Sequence, residues 1–84
     1  MKKWIVINPE DLVGVALTDL PAGFAVELPD QVLILSEDIP RGHKFSLRAL
    51  EAGEAVVKYG MPIGHAKVAV PAGGHVHTHN IKTG

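Results

Sequence analysis

Cysteine is missing from this chain of 84 residues. Disulfide staples, thiolate metal ligands and a cysteine nucleophile are therefore excluded, and the absence also suits a reducing compartment. A domain this short buries only about 60 to 65% of the surface that its unfolded chain exposes, so modest stability and support from a partner chain or domain are expected. Long hydrophobic runs are missing as well. Residues 4–7 form an apolar run behind Lys2 and Lys3, but Asn8 and Pro9 end it, too early for a secretion signal. No stretch approaches the roughly 20 apolar residues of a transmembrane helix, and a cytoplasmic location is the expectation. Charge of one sign is lacking too: eight Lys and Arg stand against nine Asp and Glu, a net −1. That balance supplies no field to hold a polyanion, so nucleic acid is set aside as a partner. No Walker A loop, strand-GxGxxG-helix unit or GxSxG elbow occurs.

Glycine and proline, by contrast, are plentiful, at nine and six, and they fall in a pattern. One seven-residue phrase recurs: an aliphatic residue, Pro or Glu, Ala or Arg, Gly, two variable positions and a core-type residue. The copies begin at Leu20 (LPAGFAV), Ile39 (IPRGHKF), Leu50 (LEAGEAV) and Val70 (VPAGGHV), and their glycines, Gly23, Gly42, Gly53 and Gly73, are spaced by 19, 11 and 20 residues. Physically the phrase is a corner between two short strands. Pro presets φ for the second position of a turn, and Gly two residues later closes it with a positive φ. Breakers at such regular intervals leave room for at most one or two helical turns. The fold class predicted is all-β, one domain spanning residues 1–84, built by near-symmetric repetition of a turn-and-strand unit.

Between the corners, short apolar or alternating segments read as strands: residues 3–6, 13–17, 26–28, 32–35, 45–50, 55–60 and 65–70. In the fifth of these, Phe45, Leu47 and Ala49 are expected on one face and Ser46 and Arg48 on the other. Met61, Pro62, Ile63 and Gly64 read as a further turn, with Ile63 plugging the core.

Most of the acids lie in the first half of the chain, whereas all five histidines lie in the second. His75, His77 and His79 stand at i, i+2 and i+4, which in an extended segment puts all three on one face. Neutral imidazole is a common transition-metal ligand, so the tract invites a metal. Neighbouring same-face residues are about 6.5 to 7 Å apart, close enough to share an ion, but the outer pair would be about 13 Å apart in a straight strand. The alternative is a solvated tract, or histidines hydrogen-bonding a partner surface. In the second corner, Gly42, His43 and Lys44 combine close backbone approach with a point charge for a carboxylate or phosphate; an ordinary surface lysine is the plain alternative. Lys58 and Tyr59 form a similar pair, Tyr59 being either a donor to substrate oxygen or half-buried core. Asp11, Asp19, Glu37 and Asp38 flank turns, and turn formation accounts for them.

Taken together, residues 39–47 (IPRGHKFSL), 57–60 (VKYG), 62–64 (PIG) and 75–80 (HVHTHN) resemble the SAF domain of the altronate and galactarate dehydratase family, and the likeness covers nearly the whole chain. The resemblance implies a β-clip fold and dehydration of a sugar acid to a 2-keto-3-deoxy acid, with a divalent metal such as iron or manganese. For that chemistry Lys44, Lys58 and Tyr59 are the expected substrate-binding residues, His43, His77 and His79 the expected catalytic residues, and His75, His77 and His79 the expected metal ligands. Fused members continue into a large catalytic domain, so the partner implied is a large dehydratase subunit or domain, with turnover not expected of the chain alone. The related sulfolactate sulfo-lyases carry a small subunit of this kind, with sulfite as leaving group. The competing expectation is a non-enzymatic sugar-acid-binding or assembly module, and edge strands give it a route to homo-oligomers.

Overall fold

The computed structural model describes residues 2–6, 11–29, 31–58, 61–77 and 81–82, and for Val57, Lys58, Pro62, Ile63 and Lys82 it describes the backbone alone. Each repeated phrase forms a corner. Gly23, Gly42, Gly53 and Gly73 have φ of 87°, 83°, 86° and 78°, a region open to glycine without steric cost. In every copy the residue after this glycine donates its N–H back three residues: Phe24 to Pro21, His43 to Pro40, Glu54 to Glu51 and Gly74 to Pro71, at 2.9 to 3.1 Å.

Among the described residues the corners join nine strands: β1 (Trp4–Ile5), β2 (Val13–Ala16), β3 (Ala25–Glu27), β4 (Val32–Ile34), β5 (Lys44–Ser46), β6 (Ala55–Lys58), β7 (Met61–Ala66), β8 (His75–Val76) and β9 (Ile81–Lys82). All pairings are antiparallel. They build a four-stranded sheet in the order β1-β2-β5-β8, a hairpin β3-β4 and a three-stranded sheet β6-β7-β9. The all-β expectation holds, and no helix occurs among the described residues, hence none long and apolar enough to cross a membrane.

Repetition in the sequence becomes repetition of hydrogen bonds. Leu20 and Ile39 exchange a reciprocal pair of backbone bonds that ties the first corner to the second, and Leu50 and Val70 do the same for the third and fourth. Gly42 N–H donates to Ala16 O and Gly73 N–H to Ser46 O, both at 2.8 Å; Ala16 N–H donates to His43 O and Ser46 N–H to Gly74 O, both at 2.9 Å. The chain is thus two units, β2 to β5 and β5 to β8, that share β5. The sharing puts β5 and β8, the strands that follow the second and fourth corners, side by side.

Side-chain alternation explains the packing. On the four-stranded sheet, Ala16 and Phe45 face a first core with Leu20, Val26, Leu33, Leu35 and Ile39. Val13 and Val76, one residue out of phase, face a second core with Leu50, Val56, Ala66 and Val70. A sheet covered on both faces needs no polar side, and this overturns the simple reading of β5. Ser46, expected opposite the core, is fully buried, and its hydroxyl donates to the Arg48 carbonyl. Regular alternation also stops at Ser46. Phe45 itself lies across from Gly14, where an added Cβ would stand 2.6 Å from the ring Cζ, so glycine there makes room for the largest core side chain.

Residues 61–64, expected as a turn, instead begin β7. Pairing with β6 shifts register between Val56 and Val57, and Pro62 lies opposite Val57 at that irregularity. Proline offers no ladder N–H and is accommodated in a strand where the ladder is already broken.

Candidate metal centre

β5 and β8 carry the histidines to one another. His43 immediately precedes β5, set by the Gly42 corner, and its carbonyl accepts the Ala16 N–H. His75 opens β8 directly opposite Phe45. Because residues two apart on a strand share a face, His43 lies on the Phe45 side of the sheet, as does His75 across from it, and His77 follows His75 on that side.

The rings form one stack. His43 is central, with ring centroids 4.2 Å from His77 and 4.9 Å from His75, while His75 and His77 are 5.7 Å apart. Interplanar angles are 11° to 28°. His43 Nδ1 lies 2.8 Å from His75 Nε2, a contact in which one ring donates and the other accepts, so at least one presents an unprotonated nitrogen. His43 and His75 are half-buried and His77 is exposed, with one nitrogen from each ring within 4.8 Å of the others. A single ion bound at about 2.1 Å from each nitrogen is within reach after small side-chain adjustments. The donor set is all imidazole, which suits iron, zinc, nickel or copper; manganese favours oxygen. The residues present therefore fit iron better than manganese.

This arrangement resolves the distance problem in the sequence. Two of the candidate ligands are the i, i+2 pair His75 and His77, and the third is His43, just before the neighbouring strand β5. His79 and Tyr59 lie outside the described residues, as does the Lys58 side chain, although the Lys58 backbone ends β6 opposite Met61. Lys44 is not part of the cluster. It pairs with Val15 and Val76, which alternation places on the opposite face of β5 from His43. Glu37 is the residue that spacing did not single out: its Oε2 accepts the His75 N–H at 3.1 Å, across 38 positions of sequence.

Residues 2–84 match the altronate/galactarate dehydratase SAF domain. The chain belongs to that family. Relatives of this SAF domain include the altronate dehydratase of Escherichia coli (strain K12), 46% identical across 96% of the chain and 16% of that protein. The altronate dehydratase of Bacillus subtilis (strain 168) is 40% identical across 99% of the chain and 17% of that protein. The (2R)-sulfolactate sulfo-lyase subunit alpha of Chromohalobacter salexigens is 32% identical, but there the match covers 95% of the chain and 93% of the subunit. The SAF domain thus spans about a sixth of these two altronate dehydratases and nearly the whole of a lyase subunit.

Proposed function

We propose that the chain is the small SAF subunit or domain of a sugar-acid dehydratase, lending a three-histidine metal site to a catalytic centre shared with a large partner. The observation that carries this reading is the convergence of His43, His75 and His77. Removing water beside a carboxylate means taking the proton from the carbon next to it and releasing hydroxide from the following carbon; the resulting enol becomes the 2-keto-3-deoxy acid. A divalent ion held there would supply Lewis acidity to the developing enolate and to the departing hydroxide. The three imidazoles hold that ion, and exposed His77 turns the site toward the partner. Lys44 is proposed to hold the substrate carboxylate by reaching past the start of β5, with Lys58 and Tyr59 as further substrate contacts, and His79 as an acid or base. The partner completes the pocket. Val32 and Ile34 support its presence: they alternate with buried Leu33, yet are 60% and 54% exposed, an apolar outer face suited to cover.

Near-complete coverage of a sulfo-lyase subunit supports a second reading, in which the leaving group is sulfite. Both readings need a titration of the chain with iron(II) or cobalt(II), followed by reconstitution with a large dehydratase subunit assayed on altronate, galactarate and sulfolactate. The expected outcome is 1:1 metal binding that His77→Ala weakens, together with turnover that requires this chain. Full turnover by the large subunit alone, or with the His77→Ala and Lys44→Ala double variant, would refute the catalytic role. Sugar-acid binding to the chain with neither metal nor partner would favour a binding module.

A further inference from the structure

We propose that Glu37 is a positioning residue for the histidine site, holding His75 in place through its backbone N–H; this role rests on the metal reading above. β8 is only two residues long, and its register against β5 is set by two pairings. The opposite edge of β8 would leave the His75 N–H to solvent. The segment that leaves β4 closes this edge in three consecutive contacts. Gly73 packs so tightly on it that a Cβ would stand 2.4 Å from the Ile34 carbonyl oxygen and 2.9 Å from Leu35 Cα. Next, Ser36 N–H donates to Gly73 O at 3.1 Å. Finally, Glu37 Oε2 accepts the His75 N–H.

The first unit of the fold thereby clamps the start of β8, and the clamped residue is the one whose ring nitrogen meets His43. Groups that orient metal ligands from outside affect affinity strongly even without touching the ion. Here the oriented group is a main-chain N–H, so any oxygen acceptor at the same reach serves. Asp38, the next residue, makes the same kind of bond elsewhere, its Oδ1 accepting the Ala22 N–H at 2.8 Å, and it provides a matched control.

Cobalt(II) titration of the full chain, read by its visible absorption, tests the role together with amide hydrogen exchange at His75. Glu37→Ala is expected to weaken cobalt binding about tenfold, the low end for outer-shell partners, and to speed exchange of the His75 amide. Glu37→Gln keeps an acceptor and is expected to remain within about twofold of the parent. Asp38→Ala should lower stability while leaving cobalt affinity unchanged. Parent-like binding by Glu37→Ala, or equal weakening by Glu37→Ala and Asp38→Ala, overturns the positioning role and leaves the metal reading standing. Failure of the parent chain to bind cobalt removes both.

Discussion

Replacing each corner glycine by alanine asks whether the four copies of the phrase remain equivalent once folded. All four have positive φ, so each substitution carries the left-handed penalty of an L-residue, about 1 to 2 kcal/mol. At Gly23, Gly42 and Gly53 nothing lies within 4 Å of the new methyl group, and the penalty ends there. At Gly73 the methyl group would meet Ile34 O at 2.4 Å, Leu35 Cα at 2.9 Å and Ser36 N at 3.1 Å. All are main-chain atoms that cannot rotate aside, so an overpacking cost of about 1 to 3 kcal/mol adds to the first. The sum, about 2 to 5 kcal/mol, is a large part of the roughly 4 to 13 kcal/mol available to a domain of this length. Urea unfolding followed by the fluorescence of Trp4, which packs against the first core, reads the difference. With a slope of about 1 kcal/mol per molar, three variants should lose about 1 to 2 M in midpoint and Gly73→Ala distinctly more. A Gly73→Ala midpoint equal to the other three would refute the claim that the fourth corner is pressed against the segment leaving β4.

Gly14→Ala should destabilise by about 1 to 3 kcal/mol through overlap with the Phe45 ring, and Phe45→Leu in the same chain should recover part of that loss in urea. Asp19 accepts the Arg41 N–H and Asp38 the Ala22 N–H, each at 2.8 Å, so the first two corners lock one another; Asp19→Ala and Asp38→Ala should each cost about 1 kcal/mol by thermal unfolding. The Glu54 carboxyl lies below its ordinary 4.5 because it accepts the Glu51 N–H and, secondarily, faces Arg48. A carboxyl depressed by folding adds stability that is complete above its unfolded value and is lost as pH falls through its folded one. Stability should therefore decline in acid below about pH 4.5, less steeply in Glu54→Gln, and an unshifted Glu54 titration by NMR would contradict this.

The fold was legible where local chemistry decided it. Pro-x-Gly corners and short apolar runs are read without knowing what they touch, and they placed the corners and most of the strands. Residues 61–64 misled because Pro and Gly are turn signals when seen alone, whereas Pro62 sits in a strand whose partner is out of register. Ser46 misled because alternation assumes one wet face, and β5 has none. In the site, His75 and His77 were visible from their spacing, whereas chain adjacency to His43 did not show that Lys44 starts from the other face of β5. Glu37 carried no signal in the sequence beyond a turn-forming acid, since its partner is 38 positions away.

By itself the sequence determined the all-β class, the four glycine corners and the family, because these depend on backbone preferences and on residue order that survive without coordinates. Tertiary structure alone decided which histidines meet. Sharing β5 between two units sets the strands after the second and fourth corners against each other, so His43 joins His75 and His77 in one cluster. Long-range strand pairing, set by burying two cores on opposite faces of one sheet, made that choice.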